Sequence, residues 1–227
     1  MHPKICVSVM ERGVEDTLKT LRRLEAHNPD LIEIRFDLID PSSSISGIRQ
    51  ATDRPLIATN RIRTQGGLFE GSEQERLRSL RQAVLESFDY VDIELKTKNL
   101  SRMVHYVKRH GSKAVISYHN FHFTPSQNVL QSILRLEKKA GANVCKIVCT
   151  AKTHEDNFRC LKFVNTYAHR SRLVCFAMGK LGKSSRILSA LMGADFTFAS
   201  LDDRRTTAEG QLSIDDIRNV WELLGVQ

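Results

Sequence analysis

Eight times along this chain a short apolar run, often β-branched, is bounded by turn residues, and most neighbouring runs are separated by a segment with apolar residues at helical spacing. The predicted strands are Ile5–Val9, Leu31–Phe36, Pro55–Asn60, Tyr90–Leu95, Lys113–Tyr118, Asn143–Val148, Arg172–Ala177 and Asp195–Ala199. Between them, Val14–Ala26 carries Leu18, Leu21 and Leu24 on one helical face, and Ser72–Ser87 carries Leu77, Leu80, Val84 and Leu85. Leu100–His110, Ser126–Ala140, His154–Tyr167 and Ser184–Gly193 follow the same rule. A last helix is predicted over Ser213–Leu224, with Ser213 as N-cap and Asp215 and Asp216 in the first turn, where acids meet the positive end of the helix dipole. A strand that reaches its neighbour through a helix runs parallel to it. Eight such rounds in 227 residues predict an α/β fold of the closed (β/α)8 TIM-barrel type, a single domain over residues 1–227, with a doubly wound open sheet as the alternative.

Composition narrows the class. Hydrophobic residues make up 41% and charged residues 26%, which excludes collagen-like and wholly disordered chains. No apolar run approaches the roughly 18 residues of a membrane-spanning helix, and the opening MHPKICVSVMERG does not read as a signal peptide, so a cytoplasmic protein is expected. The five cysteines (6, 145, 149, 160 and 175) have no framework spacing; four lie in apolar runs and read as buried core residues. No CxxC is present, so a zinc site has little support. The net charge of +8 admits nucleic acid as a partner. The basic residues are dispersed among acids, however, as solvated helix faces are, so an anionic small molecule is the better match and no nucleic acid or membrane partner is expected.

In a barrel of this kind the reactive groups gather at the C-terminal ends of the strands. The second strand reads LIEIRFDL, and period-two alternation puts Glu33, Arg35 and Asp37 on one face. Buried charges must pair with one another or hold a polar ligand, because desolvating an isolated charge costs several kcal/mol or more. The third strand ends TNR, with Thr59 and Arg61 on one face, Arg61 being a candidate for substrate contact or for pairing with Glu33 or Asp37; Gly66-Gly67 follow. The fourth offers Asp92 and Glu94. His119 stands at the end of the fifth strand, as an acid/base or as a satisfied structural residue. Lys146 lies inside the apolar run NVCKIVCT; burial lowers a lysine's pKa and leaves some neutral amine able to form a Schiff base, unless the side chain snorkels out or meets an acid. AMGKLGKS imitates a phosphate-binding loop but lacks its first glycine, so that the segment also reads as a βα loop whose amides and Arg186 hold an anion. After the eighth strand come a charged stretch, Asp202 to Arg205, expected to be mobile, and the hydrogen-bonding residues Thr206, Thr207 and Gln211.

In their order and spacing, EIRFD, TNR…GG, SYHNF, CKIV, MGKLGKSSR and TFAS…TAEGQ resemble type I 3-dehydroquinate dehydratase, the Schiff-base enzyme of the shikimate pathway, over nearly the whole chain. The resemblance implies a (β/α)8 barrel, usually a homodimer, that converts 3-dehydroquinate to 3-dehydroshikimate with loss of water and no cofactor. It implies that Lys146 forms the imine, His119 is the general acid/base and Arg186 clamps the substrate carboxylate. Glu33, Arg35 and Arg61 would line the hydroxyl-binding side, Met178 and Phe198 would be apolar walls, and Thr207, Ala208 and Gln211 would belong to a lid. Two positions depart from the family pattern. Gln65 stands where many relatives have a glutamate paired with the catalytic histidine; an amide can orient an imidazole but stabilises its charged form less. The lid reads TTAEGQ, with Glu209 where a proline is common. Other readings are a different Schiff-base barrel enzyme, such as a class I aldolase, or a phosphate-loop nucleotide binder using Lys183 and Ser184.

Overall fold

A computed structural model describes residues 2–202 and 206–226. Eight parallel strands form one sheet: β1 (Ile5–Val9), β2 (Leu31–Arg35), β3 (Leu56–Thr59), β4 (Tyr90–Glu94), β5 (Lys113–His119), β6 (Val144–Thr150), β7 (Leu173–Met178) and β8 (Thr197–Ala199). Their order is β7-β6-β5-β4-β3-β2-β1-β8. Each strand from β1 to β6 pairs with its successor, and β8 comes round to pair with β1. No order reversal occurs, so the arrangement is the barrel and not the doubly wound sheet. The helices are α1 (Val14–Leu24), α2 (Ser46–Gln50), α3 (Glu73–Leu85), α4 (Leu100–Arg109), α5 (Gln127–Lys139), α6 (Glu155–Tyr167), α7 (Lys183–Leu191) and α8 (Ile214–Leu223). All eight strands begin and end within two residues of the predicted runs. The serine-rich stretch after β2 leads only to the five-residue α2. Ser213 caps α8 in a reciprocal box with Asp216, and Ser72 does the same for α3 with Glu75.

Alternation along the strands sorts the core into two shells. Odd positions of β1 and even positions of β2 face the helices, and Ile5, Val7, Val9, Ile32, Ile34, Ala58, Val91 and Ile93 pack there against Leu21, Leu24, Ile48, Leu80 and Val84. The opposite faces point inward. At the bottom of the barrel they are apolar, with Cys6, Leu31, Ile57, Val115 and Val144 packed together. One pleat higher, β2 to β6 contribute Glu33, Thr59, Asp92, Ser117 and Lys146; the ladders pair Thr59 with Asp92 and Ser117 with Lys146, while Glu33 and Asp92 stand one pleat lower on their strands than the partners of Thr59 and Ser117. The change from an apolar to a charged layer within one pleat marks where packing ends and the site begins.

The ring is closed unevenly. Between β7 and β8 no ladder forms among the described residues; the Asp195 N–H donates to Leu173 O at 2.8 Å, and Arg172 grips the Asp195 carboxylate at 2.8 Å. Inside this joint Phe176 of β7 and Phe198 of β8 face each other with ring centroids 6.3 Å apart. The four cysteines of the apolar runs are free and buried, as expected, and so is Cys160. Among the described residues no helix is long and apolar enough to cross a membrane.

Candidate active site

Lys146 projects inward from the middle of β6 and is 5% exposed. Its ammonium does not sit isolated in an apolar pocket. Nζ lies 2.9 Å from Asp92 Oδ2 and 3.5 Å from Glu33 Oε1, and 4.1 Å over the ring of Phe198. Of the sequence alternatives, pairing with an acid is the one found. Glu33 is held by Ser8 Oγ, which donates to Oε2 at 2.7 Å, and by Thr59 Oγ1, which donates to Oε1 at 2.8 Å. Burial pushes the Glu33 carboxyl up, but Lys146 and Arg35 outweigh it and hold the group below its ordinary value. Burial likewise opposes ionisation of Asp92, and the adjacent Arg61 and Lys146 cations override it, placing that carboxyl far below the usual range.

Arg61 reaches across the layer rather than back to β2. Its Nη2 donates to Asp92 at 2.7 Å, and Nη1 donates to Ser117 Oγ at 2.8 Å and lies 3.3 Å from Glu94. Only its backbone N–H turns toward Asp37, at 3.4 Å. The expected Arg61 pairing with Glu33 or Asp37 is therefore replaced by pairing with the β4 acids. Glu94 in turn receives Arg76 of α3 at 2.6 Å, so charges alternate from the helix layer to Lys146. Asp37 does not continue the strand alternation. The chain leaves β2 in a single 3-10 turn, Phe36–Leu38, which folds the Asp37 carboxylate back onto Arg35.

His119 ends β5 one pleat above Ser117, beside Val148 of β6. Its ring stacks on Phe121 at 6.0 Å and 12°, and its buried Nδ1 has no hydrogen-bond partner. Burial, with the Arg61 and Lys146 charges, pushes the imidazole well below its ordinary value despite the pull of Asp92. Such a histidine is neutral at physiological pH, ready to accept a proton.

Arg186, in the first turn of α7, is 2% exposed. Its guanidinium stacks 4.4 Å above Phe176, no carboxylate lies against it among the described residues, and buried Nε is without an acceptor. Burial alone lowers it to about 10. A buried, unpaired fork of this kind is built to receive an anion, and a carboxylate matches it bidentately.

These residues share one cavity. Glu33, Arg35, Arg61, His119, Lys146, Met178, Arg186, Phe198, Thr207 and Gln211 all line it, together with Ser8, Gln65, Phe121, Phe176 and Ala208. Its lining of arginines, a lysine and hydrogen-bonding side chains suits an anionic, polyhydroxylated small molecule.

The family model for type I 3-dehydroquinase matches residues 5–227. The chain belongs to this family. It is 34% identical to 3-dehydroquinate dehydratase of Methanothermobacter thermautotrophicus, over 97% of this chain and 96% of the relative. It is 33% identical to that of Methanococcoides burtonii, over 92% and 91% of the two chains. The crystal structure of 3-dehydroquinate dehydratase from Geobacillus kaustophilus superposes with a TM-score of 0.92 at 26% identity, covering 99% of this chain and 92% of that one. The activity is accordingly that of a 3-dehydroquinate dehydratase, a hydro-lyase.

In this dehydratase the phosphate-loop imitation is structural. Gly182 packs on Ala177, Ser185 Oγ accepts from the Ala177 N–H at 2.9 Å, and the Ser185 N–H is spent on Asn157. Lys183 and Ser184 are exposed outside the cavity. Gln65 lines the cavity, but its amide donates to Thr64 O at 3.3 Å and not to His119. The loop from Thr207 to Gln211 covers one side. Gln211 Oε1 accepts from the Thr207 N–H and Oγ1, and Gly210, at a positive φ of 75°, lies so close to Gly179 O that no side chain fits. Thr206 lines a separate hollow beside Glu11 and Thr20. Of the stretch expected to be mobile, Asp203–Arg205 lie outside the described residues, and Asp202 meets Arg23.

Sequence reading gave no role to Ser8, Ser117 and Phe121, and named Asp92 only as an acid on one face of the fourth strand. Asp92 was within reach of the alternation rule, since an acid at the centre of a buried strand needs a cation. Nothing local marks Ser8, whose partner lies 25 residues away.

Proposed function

We propose that this dehydratase works through an imine on Lys146, with His119 as general acid and base and Arg186 as the carboxylate clamp. The single observation that carries the reading is the meeting of a buried lysine, a neutral histidine with a buried Nδ1 and an unpaired buried arginine in one cavity. Neutral His119 takes a proton from the ammonium, and the free amine adds to the ketone carbon of 3-dehydroquinate. The carbinolamine loses water to give the protonated imine. That cation replaces the ammonium beside Asp92 and Glu33, so the carboxylates neutralise both states and keep the imine protonated, which makes it an electron sink. His119 then removes the proton from the carbon next to the imine carbon. The hydroxyl one carbon further on departs as water, with a proton returned by His119, and hydrolysis of the imine frees Lys146 and 3-dehydroshikimate. Arg35 and Arg61 face the substrate hydroxyls with Glu33; Met178 and Phe198 form the apolar walls; Thr207 and Gln211 close over the ring.

The wider assignment follows the same reading: a single-domain homodimer of the cytoplasm acting at the third step of the shikimate pathway, toward aromatic amino acids. Five reduced, buried thiols fit a reducing compartment. Exposed Val129, Leu136 and Phe158 on α5 and α6 leave apolar surface for a second copy, which light scattering would test.

Borohydride reduction in the presence of 3-dehydroquinate, followed by peptide mass mapping, tests the mechanism. A stable adduct on Lys146, absent from Lys146→Ala, is the expected result. A folded protein that turns over substrate and leaves no adduct would remove the Schiff-base mechanism.

A further inference from the structure

The Asp37 side chain is fully buried and lies behind Arg35. Both carboxylate oxygens are used twice. Oδ1 accepts from Arg35 Nε at 2.8 Å and from the Arg61 N–H at 3.4 Å; Oδ2 accepts from Arg35 Nη2 at 2.5 Å and from the Leu68 N–H at 3.1 Å. One group thus joins the end of β2 to both ends of the loop that carries Gln65 and Gly66 into the cavity. That loop is tight: Gly67 sits against Arg61 O, where any Cβ would collide with backbone, and its N–H donates to Ile62 O.

The consequence for Arg35 is directional. Two of its three nitrogens are held by Asp37, and Nη1 has no protein acceptor among the described residues. The fork is fixed with one edge turned to the cavity that Arg35 lines. The other acid on its own strand is Glu33, two residues back, which Ser8, Thr59 and Lys146 already occupy. Without Asp37, Arg35 would be drawn toward Glu33 and out of the orientation that Asp37 fixes.

We propose that Asp37 is a positioning residue for the dehydration: it orients Arg35 toward the substrate and locks the 61–68 loop to β2, without touching substrate itself. The proposal rests on the reading that Arg35 faces the bound substrate. Holding a polar group in place before binding removes the ordering cost that binding otherwise carries.

The test compares Asp37→Asn, Arg35→Ala and the double variant by steady-state kinetics and borohydride trapping. Asp37→Asn should raise KM by about tenfold or more, as expected for a displaced charge-assisted hydrogen bond, with kcat within about threefold of the parent. The double variant should be no worse than Arg35→Ala alone, which a residue that merely supports the fold would not produce. Trapping at Lys146 should persist in all three; its absence already in the parent would instead strike the imine mechanism. If Asp37→Asn does not fold, Asp37→Glu, which keeps the charge but displaces it by one methylene, is read for the same KM rise. An unchanged KM, additive losses in the double variant, or failure of both Asp37 variants to fold would each overturn the proposal.

Discussion

Lys146 Nζ lies 2.9 Å from Asp92 Oδ2, and that carboxylate is shared with Arg61 at 2.7 Å. Two cations thus depend on one acid in a layer closed to solvent. Asp92→Asn keeps the shape and removes the charge, leaving the cations to repel each other. Loss of one member of a buried pair costs about 3–5 kcal/mol, and urea unfolding should show a loss of that order together with a collapse of kcat. A variant as stable as the parent would mean that the layer does not depend on this charge.

Arg186 presents the opposite case, a buried cation without a counter-charge. Arg186→Met should raise KM by about a hundredfold, the worth of a bidentate charged contact. It should not lower the melting temperature of the ligand-free protein, because an uncompensated charge leaves the interior with it. Differential scanning fluorimetry with and without a carboxylate ligand reads both halves: the ligand should stabilise the parent and not the variant.

The acid limb of the pH–rate profile should fall below pH 6.5, because burial and the Arg61 and Lys146 charges hold His119 neutral into mild acid. The sign for stability is the same. The unfolded chain takes up a proton near pH 6.5 that the folded chain refuses until lower pH, so the contribution of neutral His119 is lost as pH falls below 6.5. Gln65→Glu, by adding a negative charge to the cavity His119 faces, should move the limb upward. Measuring kcat/KM against pH for parent and variant checks both statements; a parental limb at or above 6.5 would contradict the first.

Glu137 of α5 lies outside the site, fully buried, with neither carboxylate oxygen hydrogen-bonded to an O–H or N–H group. Burial raises its carboxyl well above the ordinary value, so the folded chain keeps a proton that the unfolded chain releases above about pH 4.3. Its effect is a stability that declines as pH rises above that point. Glu137→Gln removes the titration, and thermal melts should show the variant gaining on the parent between pH 5 and 8. The gain should be on the order of 1–3 kcal/mol, or several degrees for a chain of this size.

Much of this was legible in the sequence because period two and period 3.6 are strong signals. Glu33, Arg35, His119 and Lys146 stood out as polar groups in buried strands, and all four line the cavity. Pairing was less legible. Arg61 selects the β4 acids 31 and 33 residues away over the β2 acids, a choice made by register between strands. Asp37 fell out of the strand pattern because a single turn, Phe36–Leu38, breaks period two where the chain exits the barrel. The alternatives for Lys146, a lone amine or one paired with an acid, stayed open for the same reason: a single sequence gives a strand's inward face but not the residues it meets across the ring.

Barrels are usually pictured as seamless, yet here the joint between β7 and β8 is fastened by Arg172, Asp195 and a single amide, all at the end remote from chemistry. At the reactive end no strand ladder joins the two staves among the described residues, and Phe176 and Phe198 face each other across the joint. Arg186 and Met178 stand on one side of that joint, Phe198 and Gln211 on the other. A ring compound gripped by both sides acts as a rivet across the gap. Hydrogen exchange in β8 should then slow when the cavity is filled, and the barrel's resistance to unzipping would be a property of the loaded enzyme more than of the empty one.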